Sequence, residues 1–168
     1  MLLIALLCYY WHTCMHVGLP TSWGPFPAGS FGNGGRIPRV GYNIHLEVGL
    51  FEDTLPPFLA KQAGREAHLQ GNKRFRLPVG FVNIDNDLYE GALFILTQLQ
   101  NRFDHGSVIH FHEFFSRRKK EPTKCVGNDE MKALYDFLKM NQVDYNLQFM
   151  PYHVQYQEPA VFRVIKST

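Results

Sequence analysis

The stretch VGFVNIDNDLYEGALFIL, residues 79–96, joins an apolar run to an acidic turn and then to a helical pattern. The nearly continuous apolar run from Val79 to Ile84 predicts a buried strand of a parallel sheet, because such strands are covered on both faces. The spacing of apolar residues from Leu88 to Phe103 predicts an amphipathic helix. A buried strand followed at once by a helix is typical of an α/β fold.

The same alternation continues on both sides of this stretch. Proline at Pro56 and Pro57 is expected near the first turn of one helix, and residues 64–78 are expected to form a polar, basic connection. We predict an open, doubly wound α/β sheet with helices on both faces, closed by a C-terminal antiparallel hairpin. Strands are predicted over Tyr42–Val48, Ser107–Phe111, Tyr145–Met150 and Ala160–Ile165, and helices over Phe51–Gln62 and Asp129–Met140.

Composition favours one globular domain. The 168 residues are 45% hydrophobic and 19% charged, which excludes a disordered charged tail and a fibrous repeat. A formal charge of +2 is too small to indicate a nucleic-acid partner. The three cysteines, Cys8, Cys14 and Cys125, have spacings that predict neither a disulfide framework nor a metal knuckle.

The N-terminal apolar run, Met1 to Leu7, is far shorter than the roughly 20 residues that span a membrane. It lacks the positive segment of a signal peptide, so we predict a buried strand and a cytoplasmic protein without a membrane partner; secretion is the alternative. The Gly- and Pro-rich segment from Val17 to Val40 predicts a long loop. Such a loop is either a lid facing a substrate or a surface excursion, and the sequence leaves both open.

Two acids lie in the turn after the central strand. Ligands of open α/β sheets bind beyond the carboxyl ends of the strands, where Asp85 and Asp87 are expected. Carboxylates are the ligands that Mg²⁺ prefers. Asp87 has an alternative role, since Asp87 and Glu90 have the spacing of a helix capping box. No such alternative explains Asp85, so Asp85 is the stronger site candidate.

A second candidate cluster, Val108-Ile109-His110-Phe111-His112-Glu113, ends the next buried strand. His110 and His112 share a strand face by the period of two and could bind a transition metal. Zinc is not favoured, because a third histidine at a recognised spacing is missing. The sequence also lacks His-Glu-x-x-His, Gly-x-Ser-x-Gly and P-loop motifs, which removes the main support for a zinc protease, an α/β-hydrolase or a P-loop enzyme.

Four blocks together resemble a known family, the S-adenosylmethionine-dependent O-methyltransferases of the macrocin O-methyltransferase type, which methylate sugar hydroxyls of macrolide and aminocoumarin natural products. The resemblance runs from about Val17 to the end of the chain. It implies a class I methyltransferase fold, a bound Mg²⁺ ion, and transfer of a methyl group to a hydroxyl of a sugar or other small natural product. The blocks are GLP (18–20) with GSF (29–31) and GRIP (35–38), VGLFEDTLP (48–56), IDNDLY (84–89) and VIHFHEF (108–114).

The resemblance also implies roles for individual residues. Asp85 matches the family's metal-binding acid and Asp87 its second acid, either of which could remove the proton from the hydroxyl. Glu113 matches an acidic metal ligand. His112 stands where the family usually has Asp, which either weakens the metal site or shifts its preference toward ions that accept imidazole. The implied metal ligands are therefore Asp85, His112 and Glu113, and the implied catalytic residues are Asp85 and Asp87.

The chain departs from the family at its N-terminal end. The strand and Gly-rich turn that hold S-adenosylmethionine in the family are not recognisable, so we assign no cofactor-binding residue. We expect residues 1–16 to be a divergent strand segment that fills a vacated position in the sheet. Residues 17–168 are expected to be the C-terminal part of a truncated methyltransferase-like domain. Whether the chain is an enzyme stays open.

Two other functions remain open at this point. One is a non-catalytic remnant or interaction module that pairs with another chain, for example as a homo-oligomer. The other is a metal-dependent hydrolase or lyase that uses Asp85, His112 and Glu113 as ligands. For the methyltransferase, the expected partner is a small-molecule hydroxyl acceptor such as a glycoside.

Overall fold

A five-stranded mixed sheet organises the chain in this computed structural model, which describes residues 2–6, 39, 41–42, 46–47, 49–69, 76–85, 88–112, 114–115, 130–141, 145–150 and 159–166. The strands are β1 (Leu2–Leu6), β2 (Val79–Ile84), β3 (Val108–Phe111), β4 (Tyr145–Phe149) and β5 (Ala160–Lys166). The helices are α1 (Phe51–Leu69), α2 (Tyr89–Leu99), which continues as a 3₁₀ turn over Gln100–Arg102, and α3 (Glu130–Asn141).

The strand order is β1-β2-β3-β5-β4. β1, β2 and β3 run parallel, and the register pairs Leu6 with Ile84 and Ile84 with Phe111. The last residues of these three strands therefore lie at one edge of the sheet. β5 is antiparallel to both β3 and β4, so β4 and β5 form the predicted antiparallel hairpin. The predicted N-terminal strand is also present, beside β2.

The core lies between one face of this sheet and the helices. Val82 and Ile84 of β2 and Ile109 and Phe111 of β3 are fully buried. They join one hydrophobic cluster with side chains from all three helices, such as Leu96 of α2 and Phe137 of α3. This is the α/β, Rossmann-like sheet with packed helices that the sequence predicts. Among the described residues, no helix is long and apolar enough to cross a membrane.

A buried ion pair connects α1 to the end of α2 and to the start of β2. Arg102 Nη1 donates to Glu66 Oε1 at 2.8 Å, and the two side chains are only 5% and 2% exposed. The backbone of Leu77, two residues before β2, accepts from Arg102 at 3.3 Å and donates to Glu66 at 3.1 Å. The pair thus links the backbone just before β2 to α1 and to the end of α2.

Two local predictions are wrong. The first helix continues to Leu69, so residues 64–69 are helical instead of a connection, and Pro56 and Pro57 lie in its second turn. The burial of Glu66 against Arg102 accounts for the extension, since tertiary contacts override a polar local pattern. The described residues of the predicted strand Tyr42–Val48 are not strand: Tyr42 is a fully exposed turn residue. A short alternation of apolar and polar residues does not form a strand by itself, because a strand also needs a neighbouring strand with which to pair. Most of the predicted loop Val17–Val40 lies outside the described residues.

Candidate functional site

The carboxyl ends of β2 and β3 bring Asp85 and His112 together. Each residue directly follows its strand, and the neighbouring positions Ile84 and Phe111 are paired in register. The backbone N–H of His112 donates to Ile84 O at 2.9 Å, which extends the ladder by one bond. His112 Nδ1 then lies 3.4 Å from Asp85 Oδ1. The side chains are 55% and 33% exposed, so this carboxylate–imidazole pair is accessible from solvent.

A second polar pair lies two residues earlier on the same strands. Asn83 and His110 are register partners, and His110 Nδ1 is hydrogen-bonded to Asn83 Oδ1. The Phe81 ring stacks on the imidazole, with centroids 6.3 Å apart. Burial, together with the nearby His112, lowers the pKa of His110, while the charge of Asp85 acts in the opposite direction. His110 is therefore a neutral imidazole at pH 7, with its proton on Nδ1 when the amide oxygen is the acceptor.

The turn after β2 does not contain the capping box in the predicted position. α2 begins at Tyr89, which makes Leu88 the N-cap residue, one position later than a box starting at Asp87 requires. Leu88 has no polar side-chain atom with which to cap the helix, although its carbonyl accepts from Ala92 N at 3.1 Å. Asp87 itself and Glu113 lie outside the described residues, so their places in the site stay predictions.

The donor atoms described at this edge suit an ion that accepts nitrogen as well as oxygen. A carboxylate beside an imidazole is a typical pair for zinc, iron or manganese, whereas Mg²⁺ prefers oxygen alone. The 3.4 Å between Asp85 Oδ1 and His112 Nδ1 is close to the roughly 3.3 Å expected between two ligands of a tetrahedral ion. Among the residues that the structure describes, no group of three or more His, Cys, Asp or Glu is arranged to hold a metal.

A cluster of Tyr89, Lys132 and Asp136, which we call the α2–α3 clamp, lies at the start of α2. Tyr89 Oη and Lys132 Nζ both donate to Asp136 Oδ2, at 2.9 and 2.5 Å. Lys132 Nζ also lies 4.0 Å from the centroid of the Tyr89 ring. Sequence reasoning missed the clamp; the only local signal is the four-residue spacing of Lys132 and Asp136 on one helix.

The hydrogen bonds of the α2–α3 clamp perturb its two charged groups in opposite directions. The bond to Asp136 raises the pKa of Lys132. The bonds from Lys132 and then from Tyr89 lower the pKa of Asp136. Both groups are therefore charged throughout the neutral pH range.

A chain of phenylalanine rings leads from the core to the surface beyond His112. Phe114 packs against Phe111 and Phe162 with centroids 5.2 Å apart in each case. Phe115 contacts Phe114 at 5.1 Å and is 41% exposed. Phe115 therefore exposes an apolar ring three residues after His112.

No family model and no curated protein matches the chain. Among solved structures, the apo form of CalS11, a TDP-rhamnose 3'-O-methyltransferase of calicheamicin biosynthesis, matches 70% of this chain and 41% of its own at 22% identity and a TM-score of 0.45. Another CalS11 structure matches 68% of this chain and 35% of its own, at 21% identity and 0.42. The O-methyltransferase from Bacillus cereus in complex with SAH matches 64% of this chain and 47% of its own, at 14% identity and 0.37.

The chain thus spans less than half the length of each of these three structures. At these identities and TM-scores the matches assign it to no family. Its fold class rests on its own sheet topology.

Proposed function

We propose that the protein is an S-adenosylmethionine-dependent O-methyltransferase of the macrocin O-methyltransferase type, acting on a hydroxyl of a sugar or another small natural product. The observation that carries the proposal is the solvent-accessible Asp85–His112 pair at the carboxyl ends of two parallel strands. Ligands of open α/β sheets bind at this edge. The resemblance of residues 84–89 and 108–114 to the family's motifs supports the same reaction.

The Asp85–His112 pair can serve as the proton acceptor. In O-methylation the hydroxyl oxygen attacks the methyl carbon, the carbon–sulfur bond breaks, and the hydroxyl proton passes to a base. Asp85 beside Nδ1 orients the His112 ring and leaves Nε2, on the far side of the ring, for the hydroxyl proton. S-adenosylmethionine supplies the electrophilic methyl group when it is bound. The described residues include none that we assign to holding it.

A divalent ion would use some of the same atoms. Asp85 and His112 fit an ion that accepts imidazole, and Glu113 and Asp87 are the further ligands or bases that the resemblance implies. When bound, such an ion lowers the pKa of the acceptor hydroxyl and orients it. With the ion bound, Asp85 and His112 would hold it and Asp87 would take the proton. Without the ion, His112 would take the proton directly.

We propose that the acceptor binds beside this pair. Phe115, 41% exposed, offers an aromatic face of the kind that stacks on a sugar ring. We therefore propose a glycoside or a similar small molecule as the acceptor.

Calorimetric titration of S-adenosylmethionine into the folded chain, with and without Mg²⁺ or Mn²⁺, tests cofactor binding. Transfer of a labelled methyl group to a panel of glycosides tests the reaction. Asp85→Asn and His112→Asn are expected to lower the transfer rate by about 10²- to 10⁴-fold. The matched controls, Asp53→Asn and His68→Asn on exposed positions of α1, should leave the rate unchanged. A folded chain that neither binds the cofactor nor transfers methyl groups refutes the proposal.

A metal-dependent hydrolase is the second candidate, because the mixed oxygen and nitrogen donors of Asp85 and His112 suit Zn²⁺. Tight Zn²⁺ binding that is lost in His112→Asn, together with an absence of affinity for S-adenosylmethionine, would favour it. Concentration-dependent assembly without cofactor binding would instead favour an interaction module.

A further inference from the structure

We propose that Asn83 is a specificity-determining residue, whose side-chain amide donates a hydrogen bond to a second hydroxyl of the substrate, beside the hydroxyl that reacts at the Asp85–His112 pair. The inference rests on the proposed function, because it names the kind of molecule that the same site accepts. That molecule carries at least two hydroxyls on one ring, as a glycoside does.

The strand register connects Asn83 to the reactive pair. Asn83 lies two residues before Asp85, and His110 lies two residues before His112. Side chains two residues apart on a strand project from the same face, about 7 Å apart along the strand. Because Asn83 and His110 are register partners, they form an inner pair, one step further from the edge of the sheet than Asp85 and His112. The charge of Asp85 and the His112 imidazole both act on His110, which agrees with this placement.

The hydrogen bond within the inner pair fixes the orientation of the Asn83 amide. His110 Nδ1 is bonded to Asn83 Oδ1, and Nδ1 is the donor because a carbonyl oxygen can only accept. The oxygen thus has its partner, and the two N–H groups on Nδ2 remain. Among the described residues, the Asn83 side chain makes no other hydrogen bond. Asn83 is half-buried, so its amide offers a hydrogen-bond donor at the surface of the sheet.

The groups around this donor favour a neutral oxygen as its ligand. The Phe81 ring stacks on the His110 imidazole, and Val161 is the register partner of His110 on β5. Both residues are half-buried and apolar, and small-molecule sites usually combine such a lining with a few polar groups. The nearby Asp85 carboxylate disfavours an anion, and the amide N–H groups disfavour a cation. A sugar hydroxyl meets all of these conditions.

The test compares Asn83→Leu with Asn146→Leu, a matched change at an exposed position of β4. The substrates are methyl glucoside, methyl galactoside and methyl mannoside, and their analogues that lack one hydroxyl. Asn83→Leu is expected to raise the KM for the sugar by about two- to tenfold, the equivalent of one hydrogen bond. The dissociation constant of the cofactor should stay unchanged, and Asn146→Leu should behave as the wild type.

The analogues show whether the lost hydrogen bond is the proposed one. In the wild type, removal of one particular hydroxyl of the sugar should raise KM as much as Asn83→Leu does. Asn83→Leu should be insensitive to that removal, since the partner is already missing. An unchanged KM in Asn83→Leu, equal sensitivity of both proteins to every removal, or weakened cofactor binding instead of weakened sugar binding would overturn the proposal.

Asn83→Asp guards against a folding defect, because it keeps the size of the side chain and an oxygen for His110 Nδ1. A carboxylate accepts where the amide donates. Replacement of the second hydroxyl by fluorine, which cannot donate, should therefore impair binding to Asn83→Asp more than binding to the wild type. Equal losses in the two proteins would contradict the assignment of Asn83 as a donor.

NMR of the histidine rings separates failure of this inference from failure of the proposed function. Titration of the methyl glycosides is expected to shift the His110 signals in the wild type and in Asn146→Leu but not in Asn83→Leu. If the wild type shows these shifts and transfers no methyl group, the proposed reaction fails and the binding role of Asn83 stands. If no glycoside shifts the His110 signals of the wild type, that role is refuted, whether or not methyl transfer occurs.

Discussion

Removal of the Arg102 side chain is expected to destabilise the fold strongly, because it leaves the Glu66 carboxylate buried without its cation. In the structure Arg102 donates twice to Glu66, at 2.8 and 3.4 Å, and once to Leu77 O, at 3.3 Å. Arg102→Met loses all three of these bonds. The Glu66 carboxylate keeps the bond from Leu77 N at 3.1 Å.

The magnitude follows from the burial of the pair. With side chains 5% and 2% exposed, solvent screens neither charge. Removing one partner of such a buried pair costs about 3–5 kcal/mol of unfolding free energy. For a chain of this size, that corresponds to a fall in Tm of roughly 6–20 °C.

Urea denaturation followed by circular dichroism measures this cost for Arg102→Met, Glu66→Gln and the double variant. The double variant is expected to be more stable than the sum of the two single losses implies, since it buries no uncompensated charge. Lys61→Met on the exposed side of α1 is a control for loss of a cation. A loss below about 1 kcal/mol in Arg102→Met, or strict additivity in the double variant, would refute the reasoning.

Two further predictions concern backbone strain and protonation. Gly49→Ala should lower the free energy of unfolding by about 1–3 kcal/mol and Gly106→Ala by only about 1 kcal/mol. Both glycines have a positive φ, but only at Gly49 would the new Cβ meet another atom, Thr54 Cγ2 at 2.8 Å. Denaturation midpoints check this order, and equal losses of stability would contradict it. In NMR of the histidine rings, His110 should show a pKa below the ordinary histidine value. Its contribution to stability is therefore present above about pH 6.5 and is lost as the pH falls through the lowered pKa. Asp85→Asn should move that midpoint further down, since the Asp85 charge raises it; an upward movement would contradict the assigned electrostatics.

The candidate site was predictable from sequence in part. The apolar run 79–84 and the acid after it place Asp85 at the carboxyl end of a buried strand, and the same reasoning places His112 after the next one. Asp85 and His112 are expected to be neighbours because the carboxyl ends of parallel strands lie at the same edge of the sheet. The capping box was wrong by one residue, because the local spacing of Asp87 and Glu90 does not fix where the helix hydrogen bonds begin.

The amino-acid sequence alone predicts the order of the elements from β2 to β5 and the limits of β2, because these depend on periodicity and on neighbouring residues. The tertiary structure decides which distant groups meet. The pairing of Glu66 with Arg102 spans 36 residues and that of Tyr89 with Asp136 spans 47. Both pairings depend on the packing of one helix against another, which no local pattern encodes. The same packing extends α1 to Leu69, and the sheet register brings the Asp85 carboxylate to the His112 imidazole.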